Sequence, residues 1–313
     1  MSLYLGIDTS NYTTSCAAFD TSTGEMLSLK KLLPVKSGEK GIRQSDAVFH
    51  HTKQLPELME QLLQGDRSVS GVSFSCAPRN VKGSYMPCFL AGESAARSVA
   101  AACGVSCYAT HHQTGHILAA LYSCKRLDLL KSNRSFLALH VSGGTTDLLL
   151  CKPDKDNVLD IEQIGGSLDL KAGQAVDRVG IMLGLDFPCG AELEKLAVKS
   201  EAKFSIKPVL KDIDCCLSGV ENKCDNMLKN GAAAEDTAKF CLEYIGCTIR
   251  AMTKAALNEY GDMPVIFAGG VMSDKLIKDM LVSVGDGYFA QPEFSCDNAA
   301  GVALFGAIKE GKV

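Results

Sequence analysis

The sequence predicts an α/β protein built from two related lobes, and three observations predict it. The chain opens on an apolar strand, a polar turn and a second strand. The same pattern restarts near residue 136, and a Gly-Gly turn follows a third apolar strand near residue 265. A length of 313 residues suits about two domains.

Taken in order, Leu3–Asp8 is apolar and ends in an acid, Thr9–Thr14 is polar, and Ser15–Phe19 is apolar again. Residues 34–46 hold Pro34, Gly38, Gly41 and scattered charge, a loop composition. Leu55, Leu58, Met59 and Leu62 recur at helical spacing, which predicts a helix over Val48–Leu63. Gly71–Ser75 follows as a strand, then a loop punctuated by Pro78, Gly83 and Pro87. An Ala-rich helix at Gly92–Cys103 precedes a strand at Val105–Tyr108 and a helix at His111–Ser123. In the second half, Phe136–Ser142 and Leu148–Cys151 are strands around the polar turn Gly143–Asp147, and Gly173–Leu183 is a helix. Val265–Ala268 is a strand, Ser273–Leu281 a helix, and Asn298–Lys309 the final helix. The expected division is a lobe over residues 1–109 and another over 110–313, with the last helix packing back on the first.

Composition narrows the class. Apolar residues make up 46% and charged ones 22%, which fits a folded globular chain. A net charge of −4 gives no overall attraction to nucleic acid, so RNA would need a local or borrowed basic surface. Fourteen cysteines suggest a disulfide scaffold, but a chain of this size needs no staples, and no CxxC pair supports thiolate zinc or redox chemistry. No signal-peptide pattern and no apolar run of about 20 residues occurs, so a cytoplasmic protein without a membrane span is expected.

Two constellations could carry chemistry. His112 and His116 lie four apart on a predicted helix, where both imidazoles can reach one cation. A zinc protease would place a glutamate after the first histidine; Gln113 stands there and cannot take the proton. Asp297, before the last helix, is either an N-cap or a further ligand. His140, at the end of an apolar strand, is either a satisfied core histidine or another ligand. The second constellation is a set of glycine turns. Ser142–Gly143–Gly144–Thr145–Thr146 lies between strands, Gly269–Gly270 between a strand and a helix, and Gly6–Ser10 after the first strand. Bare backbone there lets a phosphate approach, although a tight turn alone can also demand glycine. Three such turns after three strands point to an actin-like ATPase fold.

Together these motifs resemble the TsaD/YgjD family, long labelled glycoproteases, whose members make threonylcarbamoyladenosine in tRNA. The resemblance runs through LGIDTS at 5–10, THHQTGHILA at 110–119, VSGGTT at 141–146 and LDLKAGQAVDRVGIMLGLDFPCGAELE at 168–194. It continues through Ser218–Gly219, AGGV at 268–271 and CDNAA at 296–300. It implies two actin-like (duplicated RNase H-like) lobes with a nucleotide and metal cleft between them. It also implies one divalent metal, iron or zinc, held by His112, His116 and Asp297, with His140 able to complete the shell. Ser142, Gly143, Gly144, Asp177, Gly190 and Glu194 carry over as nucleotide-side positions for ATP, ADP or threonylcarbamoyl-AMP, and Asp177 would hold ribose hydroxyls. The implied reaction moves threonylcarbamoyl from its adenylate to a tRNA adenosine. The implied partner is a smaller TsaB-like relative or a second copy, on helices Val48–Leu63 or Gly92–Cys103.

The departures from the family pattern are specific. Tyr12–Thr13 replace an acidic pair, and Thr145 stands where histidine or asparagine follows Ser-Gly-Gly. Asp274 replaces an asparagine near the nucleotide, and Ser218–Gly219–Val220–Glu221 gains an acid where the family has lysine. One hydrogen bond to a charged group is worth about 1.5–3 kcal/mol. Two or three such changes therefore open alternatives: a paralogue that binds or cleaves threonylcarbamoyl-AMP without modifying tRNA, or a non-catalytic partner subunit.

Overall fold

The computed structural model describes residues 2–10, 12–34, 42–65, 68–295 and 298–313. Most of the expected loop at 34–46, and Asp297, lie outside the described residues. The chain forms two compact units, Met1–Lys131 with Pro153–Asp160 and Cys296–Val313, and Ser132–Lys152 with Ile161–Ser295.

The first unit holds β1 (Leu3–Asp8), β2 (Thr13–Asp20), β3 (Met26–Leu32), α1 (Gln44–Leu62), β4 (Val69–Ala77), α2 (Phe89–Cys103), β5 (Ser106–His111) and α3 (His112–Ser123). The second holds β6 (Phe136–Val141), β7 (Thr146–Asp154), β8 (Val158–Gly166), α4 (Ala172–Met182) and α5 (Gly190–Ala197). It continues with the short strands β9 (Leu210–Lys211) and β10 (Asp214–Cys215), then α6 (Ser218–Lys229) and α7 (Ala234–Tyr260). It closes with β11 (Pro264–Ala268), α8 (Lys275–Leu281) and β12 (Asp286–Phe289). The tip of the β7–β8 hairpin and α9 (Ala300–Lys309) belong to the first unit. That unit runs past the boundary expected after residue 109 because α3 packs against β4, β5 and α9.

Each unit has a five-stranded sheet, ordered β3-β2-β1-β4-β5 in the first and β8-β7-β6-β11-β12 in the second. In both, the central strand pairs antiparallel with the next strand in sequence and parallel with a later one. The repeated strand–turn–strand pattern of the sequence is this repeated half-sheet.

Strand period sets what faces the site. Leu3, Leu5 and Ile7 join the core with α1 and α2 residues such as Leu55, Leu58 and Ala96. Tyr4, Gly6 and Asp8 alternate to the other face, where a Cβ on Gly6 would lie 2.3 Å from Ala303 N in α9. Asp8 therefore emerges on the side of α3 and α9. In the second unit Leu137, Leu139 and Val141 of β6 pack with α7 through Cys241, Ile245 and Ile249.

The N-cap of α9 is Ala299, and Asn298 Oδ1 accepts from Ala300 N at 3.0 Å. The helix starts two residues later than the sequence pattern predicts, and both alternatives for Asp297 lie outside the described residues. Every described cysteine is a free thiol. Among the described residues no helix is long and apolar enough to cross a membrane.

Candidate functional site

Two constellations emerge, one in each unit. In the first, α3 begins directly after β5, so His112 and His116 stand on its opening turns with Nε2 atoms 2.9 Å apart. His112 Nδ1 meets Asp8 Oδ2 at 2.8 Å. Asp8, only 1% exposed, also accepts from Ser75 Oγ at 2.5 Å and from Ser10 N at 2.9 Å. Burial works to raise the Asp8 pKa. The attraction of His112 and the three hydrogen bonds outweigh it and hold the carboxyl below the usual carboxylate range. An ionised Asp8 accepts a hydrogen bond from His112 Nδ1–H, and in the neutral ring this leaves the lone pair on Nε2, the arrangement of a carboxylate–histidine pair that serves a metal.

The residues present fit such an ion as far as they are described. Nitrogens bonded to one tetrahedral zinc-like ion sit about 2.0–2.1 Å from it, so two of them lie ~3.3–3.4 Å apart. The two ring nitrogens, hydrogen-bonded at 2.9 Å, would have to part by a few tenths of an ångström to take such an ion. Among the described residues no cluster of three or more His, Cys, Asp or Glu side chains is placed to hold a metal, and Asp297 is not among them. His140 lies in the second unit, on β6 opposite Asp147 of β7 and beside Ala268 of β11.

The second constellation is a cavity of about 370 Å³ in the second unit. Of the nucleotide-side positions named from the sequence, Gly143, Asp177, Gly190, Glu194 and Asp274 line it, together with Val176, Leu242, Val271 and Ile277. Ser142 and Thr145 shape its turn instead: their hydroxyls are 2.8 Å apart, and Ser142 Oγ accepts from Thr145 N and Gly144 N. Asp177 Oδ1 accepts from Cys189 N at 2.9 Å, and Glu194 Oε1 from Lys275 N at 2.9 Å, so both carboxylates are anchored by backbone.

The glycines separate the two explanations offered for them. Gly269 has φ +101, and a Cβ there would fall 2.1 Å from Val141 O, so the fold itself requires glycine. At Gly143, Gly144 and Gly270 a Cβ would meet nothing within 4 Å, and their φ angles are not in the left-handed region. Neither strain nor crowding demands glycine at these three; the bare backbone leaves space beside the cavity. Gly173 of α4 is the tight point, where a Cβ would lie 2.5 Å from Gly143 N and 2.6 Å from its Cα. Gly173→Ala should push the Ser142–Gly143 turn out of place. Calorimetric titration with ADP should then show affinity reduced at least tenfold, with a stability loss of about 1–3 kcal/mol from overpacking.

Asp8 and Ser75 were not legible as site residues. An acid closing an apolar strand was the only signal, and it came with no hint of its partner on α3. The departures also acquire places. Thr13 is buried within β2, and Glu221 is paired with Arg178 Nη1 at 2.9 Å.

Solved structures share this architecture at low identity. Full-length HypF in its phosphate- and nucleotide-bound form matches with a TM-score of 0.57 and 13% identity, over 99% of this chain and 46% of that one. Component A of (R)-2-hydroxyglutaryl-CoA dehydratase from Acidaminococcus fermentans matches at 0.55 and 14%, over 100% and 99%. A ROK family glucokinase from Streptomyces griseus, in complex with glucose and AMPPNP, matches at 0.53 and 13%, over 98% and 99%. The chain spans less than half of the HypF chain it matches. These likenesses define the class: a protein of the actin-like ATPase fold. The family follows from sequence. The profile of TsaD, tRNA N6-adenosine threonylcarbamoyltransferase, matches residues 28–304, and the chain belongs to that family, a transferase family of tRNA modification. The resemblance read from the motifs is borne out.

Proposed function

We propose that this chain is a cytoplasmic, metal-dependent transferase that binds threonylcarbamoyl-AMP and passes its threonylcarbamoyl group to a tRNA adenosine. The observation that carries the reading is the cavity in the second unit, where five of the named nucleotide positions converge beside glycines the fold does not require. The bare Gly143–Gly144 backbone admits the phosphate. Asp177 and Glu194, held by Cys189 N and Lys275 N, accept from ribose hydroxyls.

In the reaction the exocyclic amine attacks the carbamoyl carbon, a C–N bond forms, and the C–O bond to phosphate breaks. The amine loses a proton and AMP leaves with the bonding electrons. His112 and His116 would hold the divalent iron or zinc, with Asp8 fixing the ring of His112. Such an ion would supply Lewis-acid chemistry, polarising an oxygen and offsetting negative charge. Asp297 is proposed as a further ligand, whereas His140 lies in the second unit. The partner proposed is a TsaB-like relative or a second copy, docking on α1 or α2, between which Leu55, Met59, Leu63, Ala95 and Val99 line a groove.

A second reading is favoured by one observation: Thr13, where the family pattern has an acid, is a buried strand position, so this chain lacks that carboxylate. Under it the chain cleaves threonylcarbamoyl-AMP without tRNA. Threonylcarbamoyl-AMP labelled in the threonine, incubated with metal-loaded protein and tRNA, distinguishes them. Label in tRNA supports transfer. AMP released at the same rate without RNA, and no label in tRNA, rejects transfer in favour of the second reading.

A further inference from the structure

The cavity of the second unit is lined by three carboxylates, Asp177, Glu194 and Asp274, and among its described lining there is no Lys, Arg or His. An ionised carboxylate only accepts hydrogen bonds, so the ligand has to supply the donors. Asp274 differs from the other two. It is 8% exposed, whereas Asp177 and Glu194 are partly exposed. Its neighbours in the lining include Leu242 and Ile277, both buried apolar side chains. The base is the least hydrated part of a nucleotide, so this dry end is where its ring belongs, and Asp274 then faces the edge of the base.

At that edge the protonation state decides what fits. Adenine offers an amine donor beside a ring-nitrogen acceptor. A carboxylate satisfies the amine and repels the ring nitrogen. A neutral carboxylic acid satisfies both, because its carbonyl accepts from the amine while its O–H donates to the ring nitrogen. Guanine offers two adjacent donors, N1–H and the N2 amine, which an ionised carboxylate accepts together. We propose that Asp274 reads the base as a neutral acid when it binds adenine, so that adenine binding is coupled to proton uptake and guanine binding is not.

The surroundings of Asp274 suit that role. Burial, aided by Glu194 on α5, raises its pKa to about 6, against the backbone bonds from Ile277 N and Leu276 N and the charge of Lys278 on α8. Asp177 on α4 lines the same cavity, and α7 presents the Cys241 thiol, itself pushed up in part by Asp274. The sign follows from the raised value. Below about 6 the acid is already present and adenine affinity is flat; above it, affinity falls about tenfold per pH unit as a proton has to be taken up. Guanine affinity behaves oppositely: it rises about tenfold per pH unit below about 6, where the carboxyl has to lose its proton, and is flat above it.

This inference rests on the nucleotide reading, and the experiment separates the two. The full chain is titrated calorimetrically with adenosine and with guanosine, near pH 5 and near pH 8, with circular dichroism confirming the fold at both. Nucleosides are used because they carry no phosphate to titrate. Adenosine affinity should be about a hundredfold lower at the higher pH, with close to one proton taken up, read as a heat that depends on the buffer. Guanosine should show the reverse preference. Asp274→Asn, a fixed donor and acceptor pair, should bind adenosine equally at both pH values. Equal adenosine affinity in the wild-type chain, or an unchanged pH dependence in Asp274→Asn, overturns the inference alone. Binding of neither nucleoside at either pH overturns the nucleotide reading and the inference with it.

Discussion

His112→Ala should lower affinity for a divalent ion by at least about a hundredfold, more than the loss of an outer partner costs, and should remove metal-dependent transfer. His112 is the hinge of the first constellation: one ring nitrogen meets Asp8 and the other meets His116. Alanine removes one of the two facing ring nitrogens and leaves the buried Asp8, among the described residues, with its bonds from Ser75 Oγ and Ser10 N. Asp8→Asn is the gentler probe. It keeps the shape but offers a neutral acceptor, so metal affinity should fall about 10–100-fold while both histidines remain. Competition against a chromophoric chelator measures both effects. Histidine ring ¹⁵N shifts should show the His112 tautomer loosened in Asp8→Asn, which a purely structural role for Asp8 would not produce. Unchanged affinity in His112→Ala would mean that α3 is not a metal helix.

The largest loss of stability is expected at Gly301. Here α9 lies so close to α3 that a Cβ would fall 1.8 Å from Gly115 O and 2.7 Å from Ala119 N. Both obstacles are backbone, so no side chain can swing aside, and the helices have to separate. Alanine gains about 1 kcal/mol of helix propensity over glycine, but this clash is more severe than ordinary overpacking, which already costs about 1–3 kcal/mol. A net loss of at least about 3 kcal/mol is expected for Gly301→Ala. Thermal unfolding should move down by several degrees. Because α3 carries His112 and His116, metal affinity should fall as well, although neither ligand is touched. A melting temperature equal to that of the wild type would show that α9 and α3 do not meet as described.

What was legible in the sequence is what is written locally. The strand at Leu3–Asp8 and its counterpart at residue 136 are short, apolar and bounded by polar turns, so both half-sheets could be read. His112 and His116 were legible because four residues is one helical turn. Other elements carried weak local signals. β3 is an edge strand bearing Lys30 and Lys31, and charge on an edge looks like a loop although it protects the sheet from pairing. The long helix α7 buries Thr237, Ala238, Cys241, Thr248 and Thr253 along with Leu242 and Ile249, so its apolar stripe is diluted by small and polar residues. The site was legible in part for the same reason. Asp8 and His112 are 104 residues apart, and only the folded sheet makes them partners. The glycine turns were visible, but sequence could not separate Gly269, which the backbone requires, from Gly143 and Gly144, which it does not.

The most direct measurement is anomalous diffraction from crystals of the full chain grown with zinc, recorded at the metal's absorption edge. One ion bonded to both His112 Nε2 and His116 Nε2, at about 2.0–2.1 Å from each, is the predicted result. A peak bound elsewhere, or the two rings still hydrogen-bonded to each other in the presence of saturating metal, would contradict it.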